Sequence, residues 1–364
     1  MARRSRKTPW SRSLQRTLTA FTRTAIRAGS KAMTQVLKAP PRVRAPAAAK
    51  RTTRAKPAQK KPSATQWSTG IAGAAAGGRR YRLYKPPGVR RTERLPLLVM
   101  LHGCGQDAQG LAASSRMNQI AARERFFVLY PEQSRLAHVQ GCWNWYDTRT
   151  GRAQGEADAV DAAITQVCLL QAVDPDRIAL AGLSAGASLA ALLATRRPER
   201  FRAVAMHSGV APGLAHSATT ALSAMRGRRE AEPLARPVGG PHLPALLVIQ
   251  GSADSVVAPG NGAEAASLWA VREDAKPGKP RTVQRGARYA ATVTDFQTRG
   301  RLVATLCMIA GLGHAWSGGA AGKPYSDPKG PDASRMIWAF AAKQFKAAED
   351  AIVPGHATSA LLHI

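Results

Sequence analysis

The stretch Gly182-Leu183-Ser184-Ala185-Gly186 decides the fold, because it stands between two segments of different character. Residues 177–181 (RIALA) form a largely apolar run of strand length. Residues 187–194 (ASLAALLA) are rich in Ala and Leu, which favour a helix. A strand, a tight turn and a helix with Ser at the apex would push the Ser184 hydroxyl out beyond the end of a sheet. The two glycines allow the strand and the helix to pass close to each other.

The segments on either side of this turn alternate between apolar runs and helical stretches. Near-continuous apolar runs are typical of parallel strands that are buried on both faces. We therefore predict an α/β protein with a mostly parallel sheet and helices on both faces. The strand, turn and helix around Ser184 are typical of the α/β-hydrolase fold. The predicted strands are 81–84 (an outer strand), 97–101, 126–130, 177–181, 203–206, 245–249 and 302–306. The predicted helices are 111–123, 156–171, 187–194 and 332–346.

Charge is spread unevenly along the 364 residues, whose net charge is +31. The first acidic residue is Glu93, and residues 1–61 alone carry eighteen Lys and Arg. We predict a basic, largely disordered N-terminal extension over 1–66, a catalytic domain over 67–350 and a C-terminal tail over 351–364. Residues 211–244 within the domain lack a clear period and contain Gly, Pro and Arg, which predicts an insertion over the sheet edge.

The basic extension has two parts. Residues 39–65 are rich in Pro, Ala and Lys, as in a self-repelling linker. Residues 8–38 place apolar side chains at helical spacing, opposite Arg and Lys, namely Trp10, Leu14, Leu18, Phe21 and Ala25. Two interpretations stay open, a weakly ordered basic tail or a segment of residues 1–61 that adsorbs to an anionic or lipid-like surface. Binding to nucleic acid would be non-specific, because Trp10 and Phe21 are the only aromatic residues there.

Cysteine content and hydropathy exclude several classes. The spacing of the four cysteines fits no zinc pattern, and four are too few for a disulfide scaffold. We predict neither a metal site nor a cofactor. No apolar run approaches the roughly 18 residues of a membrane span, so no transmembrane segment is predicted. Arginines interrupt any apolar region of a signal peptide, which predicts a cytoplasmic or granule-associated protein.

The serine at the turn needs a base and an orienting acid to become a nucleophile. In folds with this turn the acid and then a histidine follow the serine, each after a later strand. Asp254 follows the strand 245–249, and His314 follows the strand 302–306. Both would lie at the carboxyl ends of strands, where open α/β sheets bind ligands. We therefore predict a catalytic triad of Ser184, Asp254 and His314.

Other residues compete for two of these roles. His207 precedes the acid, so its chain order is wrong for the base. His216 and His242 lie in the predicted insertion and are expected to face solvent. Asp295 is the weaker rival of Asp254, because the stretch around it has no clear assignment.

An oxyanion hole requires two backbone N–H donors aimed at the developing negative charge. The amide of Ala185, which follows the serine, is one predicted donor. The second is expected in the loop 102–106 (HGCGQ), after the strand that ends at residue 101. We predict that this donor is the amide of Cys104.

Six segments together resemble the short-chain polyhydroxyalkanoate depolymerase esterases. The resemblance covers about residues 67–345. The segments are 101–107 (LHGCGQD), 130–133 (YPEQ), 142–146 (CWNWY), 182–186, 313–319 (GHAWSGG), and Asp254 with Val257, Pro259 and Asn261.

This resemblance implies a serine esterase that cleaves poly(3-hydroxybutyrate), related polymers or their oligomers through an acyl-enzyme. Related esterases on the same scaffold act on feruloyl or acetyl groups of plant polysaccharides, which is the alternative. A protein that binds granules or nucleic acid through its basic tail is the alternative of another class. Because the resembled family is often secreted, an extracellular location also stays open.

The resemblance also bears on individual residues. It implies that Trp143, Trp145 and Trp316 line an apolar acyl cleft. Cys104 and Cys142 lie in two of the family's segments, which makes them candidates for a disulfide, although a reducing cytoplasm disfavours one. Gly105 departs from the family pattern, which more often has Thr at this position and therefore a stiffer loop.

Overall fold

Six parallel strands form the centre of the sheet, and antiparallel strands flank them on both sides. The computed structural model describes residues 67–74, 77–236 and 239–352. The strand order is β1-β2-β4-β3-β5-β6-β7-β11-β10-β8, with β9 also paired to β10. The strands are β1 (Trp67–Ala72), β2 (Arg79–Tyr84), β3 (Leu95–Leu101), β4 (Phe127–Pro131), β5 (Val173–Leu183), β6 (Ala203–His207), β7 (Ala245–Gly251), β8 (Lys276–Pro277), β9 (Arg281–Val283), β10 (Ala291–Thr298) and β11 (Arg301–Ile309).

Helices cover both faces of this sheet. They are α1 (Ala108–Ser115), α2 (Met117–Glu124), α3 (Arg152–Leu170), α4 (Ala185–Arg196), α5 (Ala218–Met225), α6 (Gly260–Arg272) and α7 (Ala333–Ile352). Helices α3, α4 and α6 pack with one side of the sheet, and α1, α2 and α7 pack with the other. Alternate residues of β3 belong to the two cores, since Val99 lies in the first and Met100 in the second. The predicted α/β fold is therefore confirmed.

Two local predictions differ from the structure, and one stretch without an assignment from the sequence forms a strand. The helix predicted over 111–123 is two helices, because Arg116 has a φ of 58° and the chain turns there. The predicted outer strand is β2, which lies between β1 and β4 and is not at the edge. The stretch around Asp295 is strand β10, which lies between β11 and the short strands β8 and β9 and is antiparallel to all three.

The predicted insertion 211–244 contains α5, which a capping box between Ser217 and Thr220 begins. The carbonyl of Met225, its last residue, accepts hydrogen bonds from Ala258 N (2.7 Å) and Asn261 Nδ2 (3.3 Å). This helix therefore lies against the segment that follows Asp254. Two short parallel strands, β12 (Trp316–Ser317) and β13 (Ser326–Asp327), order the chain after β11.

The predicted N-terminal extension (1–66) lies outside the described residues, as does most of the predicted C-terminal tail (351–364). Those two predictions stay untested. Among the residues that are described, no helix is long and apolar enough to cross a membrane.

Candidate active site

Ser184 stands at the apex of the turn between β5 and α4, with a φ of 56°. A side-chain carbon at Gly182 would overlap the backbone of Gly186, and one at Gly186 would overlap the carbonyl of Leu101. The two glycines therefore permit the close approach of strand and helix that the sequence predicts. The Ser184 amide donates a hydrogen bond of 2.8 Å to the carbonyl of His207, which fixes the turn against β6.

Asp254 and His314 are joined directly by a hydrogen bond. The ring Nδ1 of His314 lies 2.8 Å from Asp254 Oδ2. Asp254 is 4% exposed, and its Oδ1 accepts from the amides of Val256 (3.0 Å) and Val257 (2.9 Å). Burial raises the pKa of Asp254, but the His314 ring and the two amides outweigh it and hold the pKa below its ordinary value. The ionised carboxylate thus orients the ring and leaves Nε2 for a proton transfer.

The loops that carry these two residues are tied together. The Ser252 amide donates to the carbonyl of Ile309 (2.9 Å), and the Ala253 amide donates to that of Leu312 (3.1 Å). Ser252 Oγ accepts from the amide of Gly311 at 2.9 Å. Since β5, β7 and β11 are parallel, Ser184, Asp254 and His314 all follow strand ends at the same edge of the sheet.

The loop after β3 lies beside the serine. A side-chain carbon at Gly103 would lie 3.5 Å from Ser184 Cβ. The amides of Gly103, Gly105 and Gln106 donate to Gln106 Oε1, the Gln140 carbonyl and the Gly103 carbonyl, respectively. Unlike these three, the Cys104 amide has no acceptor among the described residues.

This observation favours the Cys104 amide as an oxyanion donor. Ala185 is the first residue of α4, where amides have no partner within the helix. The helix N-terminus also favours negative charge there.

A disulfide joins Cys104 to Cys142, 38 residues further along the chain. The candidate pairing from the sequence is thus present, and Cys168 and Cys307 are free thiols. The bond ties the loop of the candidate oxyanion donor to the loop after β4. The hydrogen bond from the Gly105 amide to the Gln140 carbonyl (3.0 Å) joins the same two loops.

A buried polar network that no sequence motif indicates joins these loops by hydrogen bonds. Gln133 donates through Nε2 to the carbonyl of Cys142 (3.1 Å) and to Glu156 Oε1 (2.6 Å). Glu156 also accepts from the amide of Asn144 at 2.8 Å. The Gln133 amide donates to His102 Nε2 (3.1 Å), and burial lowers the pKa of His102, which favours its neutral form. Gln133 lies in the segment 130–133 that carries part of the family resemblance, but Glu156 has no sequence signal.

Comparison with known proteins identifies the family of this chain. The family model described as Esterase PHB depolymerase matches residues 79–274, just over half of the chain. The chain belongs to this family. The resemblance found in the sequence is thereby confirmed.

Several curated proteins are similar to this chain. Poly(3-hydroxyalkanoate) depolymerase C of Paucimonas lemoignei is 32% identical over 46% of this chain and 42% of its own length. Feruloyl esterase B of Thermothelomyces thermophilus is 30% identical over 35% of this chain and 43% of its own length. Acetylxylan esterase of Coprinopsis cinerea is 32% identical over 36% of this chain and 35% of its own length. The chain thus spans less than half the length of each of these relatives.

Among solved structures, an acetyl xylan esterase from Aspergillus awamori resembles this chain with a TM-score of 0.55. The similarity covers 68% of this chain and 94% of that one at 20% identity. At that identity the similarity concerns the fold alone. It agrees with the α/β-hydrolase architecture described above.

The three tryptophans predicted to line a cleft differ in exposure. Trp143 and Trp316 have no exposed surface, and their indole N–H groups donate to the His102 carbonyl (2.9 Å) and Ser334 Oγ (3.1 Å). This corrects the expectation for these two, because a fully buried ring supports the walls of a site and does not contact substrate. Trp145 is partly buried and packs edge-on against Tyr146, so it remains a candidate for the cleft.

The rival residues lie in other surroundings. Asp295, on β10, accepts from Thr305 Oγ1 (2.7 Å) and Arg281 Nη1 (2.6 Å), with no contact to His314 among the described residues. His242 is exposed and contacts Glu273 at 2.6 Å. His216 is half-buried, and its amide donates to Thr220 Oγ1. The pairing of Asp254 with His314 therefore favours the predicted acid and base.

Proposed function

We propose that this protein is a serine esterase in which Ser184, His314 and Asp254 form a catalytic triad. The observation that carries the proposal is the hydrogen bond of 2.8 Å between His314 Nδ1 and the buried carboxylate of Asp254. It lies at the sheet edge where the strained serine turn also ends. The esterases among the relatives support the same class of reaction.

The proposed mechanism begins with a proton transfer. Nε2 of His314 accepts the proton of Ser184 Oγ while that oxygen attacks the ester carbonyl carbon. The carbonyl oxygen becomes negative and receives hydrogen bonds from the amides of Cys104 and Ala185. Asp254 stays ionised and stabilises the imidazolium of His314.

Collapse of this intermediate breaks the bond to the leaving alcohol. His314 returns the proton to that alcohol, and the acyl group remains on Ser184 as an ester. His314 then takes a proton from water, whose oxygen attacks the acyl carbonyl. The acid is released and Ser184 regains its proton.

Ser184 as the nucleophile can be tested by covalent labelling. A fluorophosphonate should add to the Ser184 side chain and to no other serine, and peptide mass spectrometry identifies the site. Asp254→Asn should slow the labelling, because the amide no longer favours a protonated His314. Labelling at a different serine would contradict the proposed triad.

For the substrate, we propose poly(3-hydroxybutyrate), related hydroxyalkanoate polymers or their oligomers. The depolymerase of P. lemoignei supports this choice. The feruloyl and acetylxylan esterases support the alternative of plant polysaccharide esters. Release of hydroxybutyrate, ferulate and acetate from the respective substrates separates the two, and the largest kcat/KM identifies the substrate class.

The disulfide bears on the compartment. Disulfides persist in oxidising compartments and are rare in the cytoplasm. The bond between Cys104 and Cys142 therefore favours the extracellular alternative over the cytoplasmic expectation. We further propose that residues 1–61 attach the enzyme to a polymer granule or another anionic surface through their eighteen cations.

A further inference from the structure

His207 is a fully buried histidine beside the candidate site that the proposed mechanism does not use. It is the last residue of β6, and it lies opposite Leu183 on one side and Ile249 on the other. Its backbone carbonyl accepts the hydrogen bond from the Ser184 amide at 2.8 Å. The main chain of His207 therefore contacts the nucleophile turn.

The side chain of His207 contacts the loop of the proposed base. Its Nε2 accepts a hydrogen bond of 3.0 Å from the amide of Ser317, three residues after His314. The ring also stacks on Trp316, with centroids 5.3 Å apart and planes at 24°. Trp316 is itself held by its N–H bond to Ser334. One residue thus joins the two chain segments whose separation sets the distance from Ser184 to His314.

The protonation state of the ring follows from these contacts. Because Nε2 accepts the Ser317 amide, the proton of the neutral ring stands on Nδ1, which lies 3.1 Å from Ser208 Oγ. Burial lowers the pKa of His207 to about 3, and the charge of His314 adds to the effect, while Asp254 opposes it. The ring therefore stays neutral near neutral pH, and its acceptor nitrogen stays available to the Ser317 amide.

We propose that His207 is a positioning residue that sets the geometry of proton transfer by holding the Ser184 turn with its carbonyl and the His314 loop with its ring. The proposal rests on the proposed triad. His207 has no exposed surface to offer a substrate, so it acts only through the two segments that it joins. A displacement of about 1 Å between reacting groups can lower a rate by about 100-fold, which is the scale of effect expected here.

Two substitutions separate the acceptor from the packing. His207→Phe keeps an aromatic ring against Trp316 but removes the acceptor for the Ser317 amide. His207→Gln offers an amide oxygen as an acceptor at a similar reach. We expect His207→Phe to lower kcat on p-nitrophenyl butyrate by about 10- to 100-fold with little change in KM. His207→Gln should recover most of that loss.

Trp269→Phe is the control for lost stability alone. Trp269 is fully buried in α6, and its N–H donates to the carbonyl of Pro244 at 3.1 Å, before the start of β7. This variant should lower Tm and keep the wild-type kcat. If His207→Phe does not fold, His207→Asn replaces it, since its amide is too short to reach Ser317.

The outcomes distinguish this proposal from the proposed function. Wild-type kcat in His207→Phe, or equal losses in His207→Phe and His207→Gln, would overturn the positioning role. The same holds if kcat falls in proportion to Tm in all variants, including Trp269→Phe. Fluorophosphonate labelling of the wild type at Ser184, measured in parallel, shows whether the triad itself stands.

Discussion

At the scale of single residues, the strained backbone of Ser184 is the feature that the surrounding structure has to maintain. Its φ of 56° is a backbone angle that residues other than glycine seldom adopt. Such strain persists where neighbours over-determine the conformation. Two contacts fix the conformation of Ser184. Gly182 and Gly186 approach each other closely, and the Ser184 amide donates a hydrogen bond to the His207 carbonyl.

Gly105 offers a test of the loop that carries the Cys104 amide. Its φ is +76°, and a side-chain carbon would lie 2.7 Å from the hydroxyl oxygen of Tyr325. The hydroxyl therefore occupies the space that a side chain at position 105 would need. Gly105→Ala should lower both Tm and kcat, because the left-handed backbone is strained by a side chain and either the loop or Tyr325 must shift.

Gly151→Ala is the matched control for this substitution. Gly151 has a φ of +81° with nothing within 4 Å of the added carbon, so it carries the backbone strain without the clash. We expect the backbone strain alone to lower the free energy of unfolding of Gly151→Ala by about 1–2 kcal/mol, with kcat unchanged. Equal kcat in the two variants would show that Gly105 does not affect the reaction.

The buried ring of His207 predicts a pH dependence of stability. Its pKa falls from 6.5 to about 3 on folding. Between these values the unfolded chain binds more protons at this residue than the folded chain. The free energy of unfolding therefore decreases as pH falls, by up to about 1.4 kcal/mol per pH unit from this residue.

Glutamine does not titrate, so His207→Gln should have a shallower slope than the wild type. Urea unfolding of both proteins between pH of about 4 and 7 measures the difference. Parallel slopes would show that the His207 ring is protonated equally in the two states.

At the scale of elements, helices and strands that have a local pattern in the sequence were predictable. Elements whose form depends on contacts between distant segments were not. The strands of the parallel centre were predictable because they are continuous apolar runs. Strand β10 was not, because its residues are mostly half-exposed and carry no apolar run. The break at Arg116 also has no compositional signal, since arginine is a good helix former.

The candidate site divides in the same way. Asp254 and His314 were found because each stands at a fixed place after a strand, and the structure joins them by a hydrogen bond. Glu156 was not found, because its partners Gln133 and Asn144 lie 23 and 12 residues away and meet it only in the folded chain. The burial of Trp143 and Trp316 likewise depends on tertiary packing, which a motif does not encode.

The disulfide between the loops after β3 and β4 predicts a thiol count and a redox effect. The unfolded protein should show two reactive thiols without reductant, Cys168 and Cys307, and four with it. Reduction should lower the free energy of unfolding by about 2–4 kcal/mol. It should also lower kcat, because the Cys104 loop loses its covalent tie. Four thiols without reductant would contradict this account.

At the scale of the whole molecule, the densest run of basic residues and the candidate active site lie in different parts of the chain. Residues 1–61 hold eighteen of the 53 Lys and Arg, and the rest carry 35 against 22 Asp and Glu. The hydrogen bonds described for Ser184, Asp254 and His314 all lie within residues 184–314. The basic extension and the candidate site are therefore expected to be separable.

Deletion of residues 1–65 tests this separation. We expect kcat/KM on soluble esters to stay within about 2-fold of the full chain, since the candidate site lies elsewhere. Adsorption to poly(3-hydroxybutyrate) granules should fall, and the adsorption of the full chain should weaken with salt. Loss of soluble-ester turnover in the deleted protein would contradict the modular organisation. Salt-dependent binding of the full chain to DNA in place of granules would favour nucleic acid as the partner.

The most direct test of the central claim is the hydrolysis of p-nitrophenyl butyrate by Ser184→Ala. The substitution removes one oxygen at the nucleophile turn, and an unchanged circular dichroism spectrum and Tm show that the fold is kept. The account predicts that turnover falls by at least about 1,000-fold, to the level that binding and the oxyanion donors alone sustain. Turnover close to that of the wild type in the folded variant would contradict it.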